Sequence, residues 1–90
     1  MAKELPIPPA AAKSARAVEL LRVWAANKAQ HVSINPQLYD DPAIYGIMLA
    51  DLAGHVANAY QQALKINRAQ TMLMIRGGVE VALEDDLGGD

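Results

Sequence analysis

Apolar and polar positions along the chain follow two periods. Ala17, Leu20, Leu21, Trp24 and Lys28 recur at helical spacing behind Ser14, a good N-cap residue. This spacing predicts a first helix over 14–28 with the Leu21/Trp24 face buried. Val32 and Ile34 then alternate with His31, Ser33 and Asn35, the period of a half-buried strand, and Pro36 ends it. A second helix is predicted over 42–64, with Asp41 as cap and Pro42 in the first helical position, where its missing N–H costs nothing. Its residues Ile44, Tyr45, Met48, Leu49, Leu52, Val56 and Ala59 form a broad apolar arc at about 100° per residue. Asn67 and Gln70 form a capping-box pattern that opens a third helix over 67–83, with Met72, Ile75, Val79 and Leu83 on one face. Gly77-Gly78 interrupts that face, and the rival reading is a hairpin of "TMLMI" and "VEVAL" around Arg76-Gly77-Gly78. The helical face continues through the glycines, so helix is preferred.

Before Ser14 lies a Pro-rich extended arm, 1–12, whose segment Lys3–Ile7 could form an edge strand but neither a helix nor a central strand. Residues 84–90, "EDDLGGD", read as a disordered acidic tail. The result is an α+β, mostly α single domain over 1–90: three helices (14–28, 42–64, 67–83), a strand at 30–36 and a possible edge strand at 3–7. A strand cannot stand alone, because its backbone groups need partners. Two partners are open to it. The Lys3–Ile7 arm could lie parallel to it through a right-handed crossover, or a second copy of the chain could supply the pairing.

Length and composition narrow the field. Ninety residues bury only roughly 60–65% of the surface that the unfolded chain exposes, enough for one modest core. Apolar residues make up 52%, yet Phe is absent. The absence of Cys excludes disulfides, thiolate metal sites and a Cys nucleophile, and is compatible with the cytoplasm, the expected compartment. No signal-peptide apolar block is apparent at the start. Residues 43–60 lack Lys and Arg, but Asp51 near the middle would cost about 2.5–3.5 kcal/mol in a bilayer centre. A buried helix of a soluble protein, with no membrane partner, is the better reading.

The second helix also has no charged back. Gly46, Ala50, Ala53, Gly54 and Ala57 make a surface of small residues, and a helix without a charged solvent face is normally covered on most sides. One ninety-residue chain has little material to do this. Gly46, Ala50, Gly54 and Ala57, with Val32 and Ile34 of the strand, are therefore interface candidates for a homo-oligomer, a dimer.

Candidate chemistry is sparse. Asp51, His55, Asn58 and Gln62 form a narrow polar stripe along the second helix. Asp51 and His55, four residues apart, could act as an acid–base dyad, with Ser33 as a further participant. Such pairs are common, and a hydrogen-bonded polar stripe at a helix contact explains them as well. His31, Asp40 and Asp41 are the near candidates for completing a metal site, but no metal-ligand spacing joins them, so no metal and no cofactor are assigned. Gly77-Gly78 lacks the context of a phosphate loop, and Met48, Met72 and Met74 read as core fillers. A strand followed by two helices also permits a ribbon–helix–helix DNA binder that reads bases through His31, Ser33 and Asn35. The strand carries no Lys or Arg and the net charge is −2, which argues against nucleic acid as partner.

The segments "AVELLRVWAA", "HVSINP" and "DDPAIYGIMLADLAGHVANAY" resemble a family of small single-domain bacterial proteins of unknown function. The resemblance covers roughly residues 4–83, and its most distinctive part is Gly46 to Tyr60, with Asp51 and His55. It implies no catalytic residues, and it implies helix beyond Arg76; the Gly77-Gly78 pair departs from the bulkier residues expected there. The function expected from the whole reading is a small non-catalytic interaction module acting as a homodimer. The alternatives are a small enzyme or ligand-binding protein using Asp51/His55, and the DNA-binding ribbon.

Overall fold

A computed structural model of the chain describes residues 3–88. The chain divides into two compact units, Met1–Asp40 and Asp41–Asp90. The fold is α+β and mostly α, in the order α1 (Pro9–Ala12), β1 (Leu21–Ala26), β2 (Ala29–Ile34), α2 (Ala43–Leu64) and α3 (Arg68–Gly88).

The first unit corrects the helix expected over 14–28. Its second half is β1, paired antiparallel with β2 in register Leu21↔Ile34 through Ala26↔Ala29. The Asn35 N–H extends the ladder by donating to the Leu20 carbonyl at 3.3 Å. Asn27 and Lys28 join the strands with φ of 53° and 63°, a two-residue turn with both centres left-handed, whose twist matches that of the strands. Helical spacing would set Leu21 and Trp24 on one face. In the strand they point to opposite faces, and both are half-buried. The hairpin prevails because it gives β2 the backbone partners that a helix would have denied it. Of the Ala-rich run before it, only Pro9–Ala12 is helical, and the Ser14 hydroxyl accepts the Arg16 N–H at 3.2 Å in a local turn.

The partner of the 30–36 strand is thus neither the Lys3–Ile7 arm nor, within this hairpin, a second chain. Residues 3–8 have no regular structure, and no strand forms at 3–7. Glu4 is tied to the hairpin through Arg22 instead, at 2.8 Å. Residues 1 and 2 of the expected arm lie outside the described residues.

The second unit follows its sequence closely. Asp41 Oδ1 accepts the Ala43 N–H at 2.9 Å and the Asp41 carbonyl accepts that of Ile44, with Pro42 already helical at φ −59°, so Asp41 caps α2 as its spacing predicts. Lys65, in the left-handed region at φ 60°, ends α2 and returns its N–H to the Gln61 carbonyl. Asn67 Oδ1 accepts the Gln70 N–H at 3.0 Å at the start of α3. The third helix then runs unbroken through Gly77 and Gly78, neither of which has positive φ, so the hairpin alternative at Arg76–Gly78 does not form. It continues through Glu84, Asp85 and Asp86 to Gly88, where the sequence reads as a disordered tail; residues 89 and 90 lie outside the described residues. Helices α2 and α3 pack on each other with Gly54, Ala57 and Thr71 buried, and the Thr71 hydroxyl donates to the Asn67 carbonyl at 3.0 Å.

Candidate functional site

The polar stripe of α2 divides into a structural half and an open half. The Asn58 carboxamide oxygen accepts the Arg68 Nε–H at 2.6 Å, which locks the start of α3 onto α2. This is the hydrogen-bonded helix contact that the stripe suggests. Asp51, His55 and Gln62 are exposed, and no hydrogen bond or ion pair joins Asp51 to His55 among the described residues. A general base needs its proton acceptor held and oriented, and here neither group is held. Ser33 sits on β2, in the other unit. Among the described residues no group of three His, Asp or Glu could hold a metal ion.

The interface candidates fall in both units. The α2 face bearing Gly54 and Ala57 is occupied within the chain by α3: a side-chain carbon at Gly54 would sit 3.1 Å from Arg68 Nη2. These two residues allow the close approach foreseen for small residues, but to α3 of the same chain. Gly46 and Ala50 are exposed. On the opposite side of α2, the apolar arc expected to be buried is largely open: Ile44, Leu49, Leu52, Val56 and Ala59 are exposed, while Tyr45 and Met48 are half-buried. On the hairpin, Val32 and Ile34 share a face with Leu21 and Val23, and both are exposed. His31, Ser33 and Asn35, the readers in the DNA-binding arrangement, lie on or beside a strand already paired with β1 of the same chain. That ribbon would instead require pairing to a second chain.

Sequence reading missed Arg22. Its guanidinium donates through Nε to Glu19 at 2.7 Å and through Nη1 to Glu4 at 2.8 Å. The hydrogen bond and charge of Glu19, then those of Glu4, hold the Arg22 pKa above its ordinary value. The clasp borders an open groove of about 900 Å³ between the arm and β1, lined by Leu5, Ile7, Ala12, Val18 and Leu21. Of the two cations in its lining, Lys3 and Arg22, the second is already paired twice. The i, i+3 spacing of Glu19 and Arg22 was legible; the reach back to Glu4, eighteen residues away, was not. Among the described residues, no helix is long and apolar enough to cross a membrane.

Comparison with known proteins bears on family and fold. A family model described as a domain of unknown function, DUF5076, matches residues 4–86. No curated protein matches. A solved structure described as a "putative pyruvate dehydrogenase" from the photosynthetic bacterium Rhodopseudomonas palustrus CGA009 is similar at a TM-score of 0.72 and 24% identity. The similarity covers 93% of this chain and 86% of that one, and at such identity it carries the fold alone.

Proposed function

The chain belongs to the DUF5076 family, and we propose that it acts as a small non-catalytic interaction module in the form of a homodimer, in the cytoplasm. The observation that carries this reading is the core. Ala57 is the one fully buried apolar residue among those described, while twenty large apolar side chains are exposed. Ordering a residue costs roughly 1–2 kcal/mol of backbone entropy, and burial of apolar surface is the main term that offsets it. Ala57, its small neighbours Gly54 and Thr71, and the half-buried Tyr45, Met48, Met72 and Ile75 supply little of that burial for two long helices. The missing burial is supplied when a second copy covers those side chains, as in obligate dimers whose interfaces resemble a divided core.

The small-enzyme alternative draws no support from Asp51 and His55, which are exposed and unjoined. The name of the Rhodopseudomonas protein adds no site residue to it. Lack of cysteine suits a reducing compartment. Native mass spectrometry of the wild-type chain tests the proposal: the expected dominant species has twice the 9.7 kDa chain mass, and a spectrum of monomer alone contradicts it.

A further inference from the structure

Helix α2 carries a second pattern within its apolar arc. Tyr45, Leu49, Leu52, Val56, Ala59 and Ala63 succeed one another at intervals of four, three, four, three and four. That is the alternation of a heptad seam sustained over most of the helix, about 33 Å at 1.5 Å per residue. Its three central side chains stand open, at 59% for Leu49, 42% for Leu52 and 45% for Val56. Gly54, Ala57 and Asn58, which face α3, fall at the positions of the same heptad farthest from the seam. The helix therefore has one side occupied by α3 and a self-complementary stripe on the other.

We infer that α2 pairs with α2 of a second copy as an antiparallel coiled coil whose two-fold axis crosses the seam between Leu52 and Val56. This inference rests on the homodimer reading and assigns its surface. The direction follows from side-chain volume. Along the seam, residues run from large at the start to small at the end. Parallel pairing would set Tyr45 on Tyr45 and Ala63 on Ala63, wide at one end and hollow at the other. Antiparallel pairing centred on the seam sets Tyr45 opposite Ala63, Leu49 opposite Ala59 and Leu52 opposite Val56, so each layer has similar volume. The flanking positions, Gly46, Met48, Ala53, His55, Tyr60 and Gln62, hold no acidic, Lys or Arg side chain that would repel its own copy. The exposed seam and Tyr60 offer on the order of 400 Å² of apolar surface per copy, about 800 Å² for two copies, to which the helix flanks add toward the roughly 1,200 Å² at which specific interfaces begin.

The absence of native cysteine makes the geometry readable by cross-linking. Full-length Leu49→Cys and Ala59→Cys chains, mixed and mildly oxidised, should give a mixed disulfide dimer, because these positions face each other across the axis. Ala63→Cys alone should give none, since the two copies of that residue lie at opposite ends. A covalent dimer of Ala63→Cys with none in the mixture overturns the antiparallel register. Val56→Lys should raise the dimer dissociation constant at least 100-fold, whereas Ile47→Lys, away from the seam, should leave it within a few-fold. A wild type that dimerises while Val56→Lys dimerises equally overturns the seam and leaves the homodimer standing. A monomeric wild type overturns both.

Discussion

Two residues carry conformations or compositions that their positions do not favour, and each gives a measurable prediction. Lys28 sits at φ 63° in the hairpin turn, a region costly for any residue with a side-chain carbon and favourable for glycine. Lys28→Gly creates the Asn-Gly pair that such turns prefer, and should stabilise the protein by about 0.5–1 kcal/mol in urea unfolding. A loss of stability would contradict the turn. At Gly77 the situation is reversed. The residue is helical, its φ is not positive, and a side-chain carbon placed there meets nothing within 4 Å. Gly77→Ala should therefore gain about 0.4–1 kcal/mol, largely by restricting the unfolded chain. Destabilisation would mean that the helix turns or meets a partner at that point.

At the scale of elements, the second unit was legible and the first half of the chain only partly so. Helices α2 and α3 are long, and Asp41 and Asn67 mark their starts with side-chain oxygens that accept the backbone N–H groups of Ala43 and Gln70. Periodicity and capping agree, so both starts and the end of α2 fall within about one residue of those predicted, while α3 runs on to Gly88. Beyond Leu83 the acidic run resembled a tail, although Glu, like Leu, is compatible with helix. In the first unit, Leu20, Leu21, Trp24 and Lys28 fit a helix by spacing, while the run Val23-Trp24 and the Asn27-Lys28 turn fit a hairpin. A six-residue strand is too short for periodicity to decide. The decision lies in long-range backbone pairing, which spacing does not encode. Arg22 was invisible for the same reason, since its partner Glu4 is distant in sequence. Arg22→Ala should release the arm while leaving the hairpin intact. Backbone amide order parameters should then fall at Glu4, Leu5 and Ile7 and stay unchanged at 21–34; an equal fall in both would show the clasp to be part of the strand pairing itself.

For the whole molecule, the candidate site was legible as a shortage rather than as a motif. Helix α2 lacks a charged face, and the sequence alone says that something covers it. Read from sequence, the small-residue side falls to a second copy and the apolar arc to the chain's own core, although each suits a close helix contact. The fold separates them: α3 takes Gly54 and Ala57, and the large side chains Leu49, Leu52 and Val56 are left open. An account in which one buried alanine is supplemented by a second chain stands or falls on molecular mass in solution. Light scattering coupled to gel filtration of the wild-type chain at micromolar concentration measures it directly. A mass of twice 9.7 kDa is the result predicted, and a folded helical species at 9.7 kDa would contradict it.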